Sequence, residues 1–153
     1  MRPVLPSDAW TVALHRYPEE MDAAERGVYA AWVEGTVRRG AYLGFLAVTG
    51  AAGQEVVTAG AGLTLLEWGP SRGDPQPLRA RLVNVWTHPE WRRRGLARTL
   101  VSACLDAAVD RGVTRVSVGS SVMARGLYEG LGFRASGHEL GVLLPGAGER
   151  TGG

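Results

Sequence analysis

The chain has 153 residues, 45% of them apolar and 21% charged, which predicts a single folded domain and excludes global disorder. Its one cysteine, Cys104, excludes an intrachain disulfide and a cysteine-rich zinc site, and the scattered histidines predict no metal site. A net charge of +2, the lack of a bilayer-spanning apolar run and an N-terminus unlike a signal peptide predict a cytoplasmic protein with no nucleic-acid or membrane partner.

The 17 basic residues are all arginine, and the sequence contains neither lysine nor isoleucine. Both missing residues have AT-rich codons, so we infer a GC-rich bacterial genome. The stretches rich in glycine and proline are all short, at 50–53, 69–77 and 145–153. None is long enough to link two domains, so we predict one domain over 1–145 and a flexible tail over 146–153.

The first half begins with a predicted short strand at 1–5 and a helix that starts at Ser7 or Asp8 and ends near Tyr17. A second helix is predicted from Pro18 to Arg39, with a buried stripe of Met21, Val28 and Trp32. Strands are predicted at 42–49 and 55–68, followed by a loop at 69–77.

The second half alternates strands and helices. Strands are predicted at 79–87, 113–118, 133–136 and 138–144, and helices at 95–111 and 122–131. In the longer helix Leu96, Leu100, Cys104 and Ala108 form an i, i+4 row, so Cys104 is predicted to be a core residue rather than a nucleophile. The alternation predicts an α/β fold, mixed α+β in detail, whose mixed sheet carries helices on both faces.

The turn from Arg92 to Ala97 joins a strand to a helix. The first amides of a helix have no internal partner and lie at its positive end, so such a turn predicts a site for a phosphate group. The small residues Gly95 and Ala97 leave room for a pyrophosphate to approach the backbone. A solvated charge run is the alternative interpretation of Arg92–Arg94.

The spacing Arg92-x-x-Gly95-x-Ala97 resembles motif A of the GNAT superfamily of N-acetyltransferases, Arg/Gln-x-x-Gly-x-Gly/Ala. Residues 121–133 are similar to a second motif of that family, Asn-x-x-Ala-x-x-Leu-Tyr-x-x-x-Gly-Phe. The matching residues are Ala124, Leu127, Tyr128, Gly132 and Phe133. Ser121 departs from the motif's asparagine, and a helix N-cap is an equally good interpretation of it. The resemblance is poorest in the first forty residues.

The resemblance implies a GNAT-like, mostly antiparallel sheet of six to seven strands and an N-acetyltransferase that uses acetyl-CoA. It implies that the strand at Val85, Trp86 and Thr87 pairs with pantetheine, and that Ser121 and Tyr128 also contact the co-substrate. The turn implied to hold the pyrophosphate comprises Arg92, Arg93, Arg94, Gly95, Leu96 and Ala97. Tyr128 is implied to protonate the leaving thiolate, and a phenol is protonated at neutral pH and suited to this task.

The acceptor is predicted to be a primary amine of a small molecule or a peptide, which attacks the thioester directly. Asn84, Trp32 and Trp68 are predicted to line the acceptor site. For the general base, Glu34, Glu67 and a chain of water molecules stay open, and so does a homodimer. The alternative to an enzyme is a non-catalytic module that binds acyl-CoA. An arginine-rich nucleic-acid binder is a weaker interpretation, because the basic run is local.

Overall fold

The computed structural model describes residues 1–119, 124–135, 137 and 140–146 of the chain. The elements in chain order are β1 (Arg2–Pro3), α1 (Ala9–Arg16), α2 (Ala23–Arg38), β2 (Tyr42–Thr49), β3 (Val56–Glu67), β4 (Leu78–Thr87), α3 (Leu96–Asp110), β5 (Val116–Val118) and α4 (Arg125–Gly130). Short 3-10 turns at Pro6–Asp8, Glu20–Asp22 and Pro89–Trp91 lead into or out of these elements.

The strands form one mixed sheet in the order β1-β2-β3-β4-β5. The three pairings from β1 to β4 are antiparallel, and β4 pairs with β5 in parallel. The prediction of a mixed, mostly antiparallel sheet is confirmed.

The predicted number of strands was wrong, because the described residues form five strands rather than six to seven. The segments 133–135 and 140–144 contain no strand, and Ser136, His138 and Glu139 lie outside the described residues. Leu140 and Leu143 are almost fully exposed, so their apolar side chains do not pack on the sheet. Gly137 and Gly141 interrupt the apolar run, and glycine weakens a strand that has no packing partner.

Helices cover both faces of the sheet, as predicted. Consecutive strand residues point to opposite faces, so Leu46 and Val83 pack in the cluster beneath α1 and α2, whereas Ala47 and Leu82 pack in the cluster with α3. In α3 the residues Leu100, Cys104 and Ala108 are buried, and burial raises the pKa of the Cys104 thiol to about 12. Cys104 is therefore an inert core residue.

The predicted stripe of α2 was wrong. Met21 and Val28 are 87% and 74% exposed, and Trp32 is 40% exposed. The buried side chains are Val33 and Thr36, with Tyr29 packed against the same cluster. Tyr29 and Val33 each follow a predicted residue by one position, a rotation of about 100° around the helix. Met21 precedes the helix, in the turn Glu20–Asp22.

Candidate active site

A bulge in β4 lies at the centre of the candidate site. Gly60 of β3 pairs with Trp86 and Gly62 pairs with Val83, so Asn84 and Val85 together oppose one residue of β3. Asn84 has a φ of 57°, which is the left-handed region that few residues other than glycine adopt. Trp86 stacks on His15 of α1 and Asn84 bonds to Tyr29 of α2, so both side chains face these two helices.

The Asn84 side chain holds together a polar network on that face. Its amide nitrogen donates to the hydroxyl groups of Tyr29 and Tyr42 at 2.8 and 2.9 Å. Its carbonyl oxygen accepts a bond of 3.2 Å from the Arg16 guanidinium, which also lies 4.9 Å from the centre of the Tyr29 ring. Burial raises the pKa of the Tyr42 phenol, so this hydroxyl stays protonated. These contacts stabilise the otherwise unfavourable backbone of Asn84.

Strands β4 and β5 separate next to the bulge. Their parallel pairing runs from Ala80 and Val116 to Leu82 and Val118, where β5 ends. Strand β4 continues to Thr87 and pairs only with β3 over this last part, within the described residues. Among the described residues, one backbone edge of Val85, Trp86 and Thr87 therefore has no strand partner.

A cavity beside the start of α3, here named the turn cleft, has a volume of about 410 Å³. It is lined by Val85, Trp86, Thr87, Trp91, Arg92, Arg93, Gly95, Leu96, Ala97, Arg98 and Leu127. These include all the predicted co-substrate residues except Arg94, Ser121 and Tyr128. Arg98, in the first turn of α3, is a cation that the sequence analysis missed.

The backbone of the turn has the shape that anion binding requires. Arg93 and Gly95 have φ angles of 65° and 74°, and Gly95 is the N-cap of α3. A Cβ at Gly95 would have no protein atom within 4 Å, so the space in front of this residue is open. Successive amides that alternate in backbone conformation point to one side and form a concave anion site. The Arg94 guanidinium lies 4.5 Å from the centre of the Trp91 ring and does not line the cleft.

The second cavity, here named the splay cleft, has a volume of about 430 Å³ and lies where β4 and β5 separate. It is lined by His15, Arg16, Arg81, Leu82, Val83, Asn84, Val85, Val118, Gly119, Ala124 and Tyr128. Val85 lines both clefts, so the two cavities meet at the bulge.

Tyr128 of α4 brings a phenol to the splay cleft. The residue is 6% exposed, and its ring packs edge-on against Phe133 at 5.7 Å between centroids. Burial raises its pKa, so the phenol is protonated at neutral pH and able to donate a proton. The spacing of Tyr128 and Phe133 in the second GNAT motif thus has a structural reason. The two rings pack together, and this contact positions the Tyr128 hydroxyl group.

His15 and Arg16, at the end of α1, are site residues that the sequence analysis missed. His15 stacks on Trp86 with 3.9 Å between ring centroids, and burial lowers its pKa to about 4. The imidazole is therefore neutral at physiological pH. Neither residue belongs to a local motif, because only the packing of α1 against β4 brings them to the cleft.

The remaining predicted site residues lie outside both clefts or outside the described structure. Trp32 packs against Tyr29 and Tyr42, so it is one residue removed from Asn84. Trp68 is 64% exposed and lies under the guanidinium of Arg79. Ser121 lies outside the described residues. Neither candidate base lines a cleft: Glu34 pairs with Arg38, and Glu67 ends β3.

Two further features bear on the kind of site. The described residues contain no cluster of three or more His, Cys, Asp or Glu side chains placed to hold a metal ion. None of the described helices combines the length and the apolar character that a membrane crossing requires.

The chain is similar to known proteins in part of its sequence and in its fold. The family model described as an acetyltransferase (GNAT) domain matches residues 74–142, which contain the bulge, the turn and Tyr128. No curated protein sequence matches the chain significantly.

Solved structures share the fold over nearly the whole chain. A GCN5-related N-acetyltransferase from Ralstonia eutropha JMP134 superposes with a TM-score of 0.80 at 24% identity, covering 95% of this chain and 97% of that one. A predicted acetyltransferase with acetyl-CoA from Clostridium acetobutylicum gives 0.80 at 16% identity, covering 93% and 94%. Glucosamine-6-phosphate N-acetyltransferase from Arabidopsis thaliana gives 0.70 at 14%, covering 94% and 97%. Together with the match to the family model, these shared folds confirm the predicted resemblance to the GNAT superfamily.

Proposed function

We propose that the protein is an N-acetyltransferase that moves the acetyl group of acetyl-CoA to a primary amine. The observation that carries the proposal is the pair of clefts that meet at Val85, with the anion-binding turn at one end and the Tyr128 phenol at the other. The GNAT domain match implies acetyl transfer in general. The fold neighbour from Clostridium acetobutylicum, described with acetyl-CoA, supports the choice of donor.

The residues present fit such a donor. The amides at the start of α3 have no partner within the helix, and with Arg92, Arg93 and Arg98 they would hold a pyrophosphate. The open edge of β4 would hold the peptide-like pantetheine arm by backbone hydrogen bonds, as an added strand. The thioester end would then lie in the splay cleft, which contains the bulge and Tyr128.

The chemistry required there is the attack of an amine on a thioester. Backbone N–H groups around the bulge would stabilise the oxyanion that develops on the carbonyl oxygen. Tyr128 would protonate the departing sulfur. No carboxylate lines either cleft within the described residues, so we assign removal of the amine's proton to water. With a pKa of about 4, His15 is too weak a base to take that proton at neutral pH.

Acetyl-CoA binding tests the proposal most simply. Acetyl-CoA should raise the melting temperature of the protein, because a ligand that binds only the folded state stabilises it by mass action. Gly95→Val should remove most of that rise, since its side chain would fill the open space in front of the turn. No rise at millimolar acetyl-CoA would contradict the proposal. The non-catalytic alternative predicts the same rise, so it is separated by the Tyr128 variant discussed below.

A further inference from the structure

We infer that the acceptor amine also carries an anionic group, a carboxylate or a phosphate, and that Arg16 binds this group with support from Arg81. The inference rests on the proposed function and names the substrate class for the same site.

The first observation is the charge of the splay cleft. Its described lining contains two arginines and no aspartate or glutamate, and His15 is neutral. Residues 120–123, which follow the lining residue Gly119 in the sequence, include no acidic residue either. A free amine is largely protonated at neutral pH, so a simple monoamine would be repelled by this cleft. An amine with its own negative group would be attracted.

The second observation is that no carboxylate of the described residues pairs with Arg16. The ion pairs among the described residues involve Arg2, Arg38, Arg115 and Arg125, but not Arg16. The exposed Arg16 donates, among the described residues, only to neutral oxygens, those of Asn84 and Tyr17, each at 3.2 Å. A guanidinium held by neutral partners at the wall of a cavity retains its charge for a ligand.

The third observation separates this charge from the phosphates of the co-substrate. Arg92, Arg93 and Arg98 line the turn cleft, whereas Arg16 lines only the splay cleft. Arg16 reaches the cleft from the α1 and α2 face of the sheet. Arg81 shares that face with Val83, two residues along β4, and it donates to the Ser117 hydroxyl at 3.3 Å. The pair is thus placed on the acceptor side of the bulge.

The chemistry of the guanidinium defines the ligand class. Its planar set of N–H groups matches two oxygens of a carboxylate or a phosphate, and the bonds are charge-assisted. The rings of Tyr17 and Tyr29, 5.6 and 4.9 Å from the Arg16 guanidinium carbon, hold the group in place. A fixed guanidinium loses little entropy when it binds an anion.

The test compares amines that differ only in the anionic group. The rate of CoA release from acetyl-CoA is measured for two series of amines. The first series compares α-amino acids with their amides, and the second compares amino phosphate monoesters with the corresponding amino alcohols. In at least one of the two series the anionic member should have a kcat/KM at least about 10-fold higher, the usual value of a hydrogen bond to a charged group. The series that shows the preference identifies carboxylate or phosphate as the group bound.

Arg16→Gln should lower the ratio of kcat/KM for the anionic amine to kcat/KM for its neutral partner by roughly 10- to 100-fold. Arg16→Lys keeps the positive charge but lacks the planar guanidinium, so its preference for the anionic amine should lie between those of the wild type and Arg16→Gln. The matched control is Arg38→Gln, at an exposed arginine of α2 outside both clefts, and it should keep the preference. Because the readout is a ratio of two substrates, a general loss of folded protein does not imitate it.

Binding without turnover provides the second measurement. The N-acetyl derivatives of the anionic amines should raise the melting temperature of the CoA-saturated wild type but not of Arg16→Gln. The inference is overturned if neither series shows a preference, if the preference survives in Arg16→Gln, or if no anionic derivative binds. It is also overturned if a peptide N-terminus or a neutral amine is acetylated equally well, an outcome that leaves the proposed function intact. The proposed function itself fails if acetyl-CoA does not bind.

Discussion

The amide nitrogen of Asn84 donates to the hydroxyl of Tyr42 across 2.9 Å, and this bond ties the bulge of β4 to the buried end of β2. Tyr42 is only 2% exposed, and Gly62 provides the space for its hydroxyl, because a Cβ at that position would collide with the Tyr42 side chain. Gly62 is therefore required for packing. The two clefts meet at this bulge, so the Asn84 network supports the walls of both clefts.

Two variants of Asn84 separate its backbone from its side chain. Asn84→Ala and Asn84→Gly both lose the bonds to Tyr29 and Tyr42, so each should lower the free energy of unfolding by about 1–3 kcal/mol. Only glycine adopts a φ of 57° without strain, so the alanine variant should be less stable than the glycine variant by about 1 kcal/mol. Urea denaturation measures the difference. Equal stabilities would show that the bulge relaxes when the amide is removed.

Gly95→Ala should combine a small loss of stability with a large loss of acetyl-CoA affinity. The φ of 74° costs an alanine about 1 kcal/mol, and the new methyl group projects into the open space of the turn. Gly73→Ala is the matched control, because Gly73 has a φ of 80°, equally open surroundings and no place in either cleft. It should lose similar stability and keep its acetyl-CoA affinity. Equal effects on affinity would assign the Gly95 result to folding.

The three turn arginines should differ in their effects on co-substrate binding. Arg92 and Arg93 line the turn cleft, whereas Arg94 packs on Trp91. Alanine at Arg92 or Arg93 should weaken acetyl-CoA binding by only about 1–2 kcal/mol, because exposed charges are screened. Alanine at Arg94 should weaken it by less, because this side chain does not line the cleft. Calorimetric titration at two salt concentrations measures these losses. Acetyl-pantetheine, which lacks the pyrophosphate, should show none of them.

His15 should make the protein sensitive to mild acid. Burial lowers its pKa from about 6.5 to about 4, so the folded state disfavours the charged form. The stability is fully present above pH 6.5 and falls as the pH drops from 6.5 towards 4, because the unfolded state takes up the proton first. The free energy of unfolding should fall by about 1–3 kcal/mol over this range, a figure that allows for the partial exposure of His15. In His15→Phe, which keeps a ring against Trp86, this fall should be largely absent.

A second loss of stability, distinct from that caused by His15, should occur at lower pH. The Arg2 guanidinium beside Asp8, at 2.8 Å, lowers the pKa of that carboxyl below its usual value. This ion pair therefore contributes stability above a pH of about 4 that is lost only below it. An unchanged slope between pH 6.5 and 4 in His15→Phe would contradict the assignment of the first transition to the imidazole.

Tyr128→Phe separates an enzyme from a binding module. The variant keeps the ring packed against Phe133 and removes only the hydroxyl group in the splay cleft. Acetyl-CoA binding should survive while turnover falls by roughly 10²- to 10⁴-fold, the usual contribution of a positioned proton donor. A fall in binding with equal loss of turnover would make the hydroxyl a ligand contact. An unchanged rate would show that the sulfur departs without this proton.

Much of the second half could be predicted from the sequence, because its signals are local. The i, i+4 row of α3 gave the buried face correctly, and Gly95 lies at its predicted junction with the turn. The spacing of Tyr128 and Phe133 reflects one short helix and its turn, which a sequence pattern records directly.

The features that the sequence analysis missed depend on contacts between distant residues. Asn84 contacts Tyr29 and Tyr42 across 55 and 42 positions, and Arg16 contacts Asn84 across 68. The bulge itself depends on the register of β4 against β3. The stripe of α2 was wrong by one position, because apolar residues occur all around that helix and the packing partner, rather than the period, selects its buried face.

Detection of the acetylated product tests the central claim most directly. Wild-type protein is incubated with acetyl-CoA and the panel of amino acids, amino phosphates, neutral amines and peptide N-termini, and both CoA and the acetylated amine are quantified by mass spectrometry. We expect CoA and one class of acetylated amine to form in equal amounts, and Tyr128→Phe to reduce both together. Binding of acetyl-CoA with no acetylated amine from any class, or release of CoA through hydrolysis alone, would contradict it.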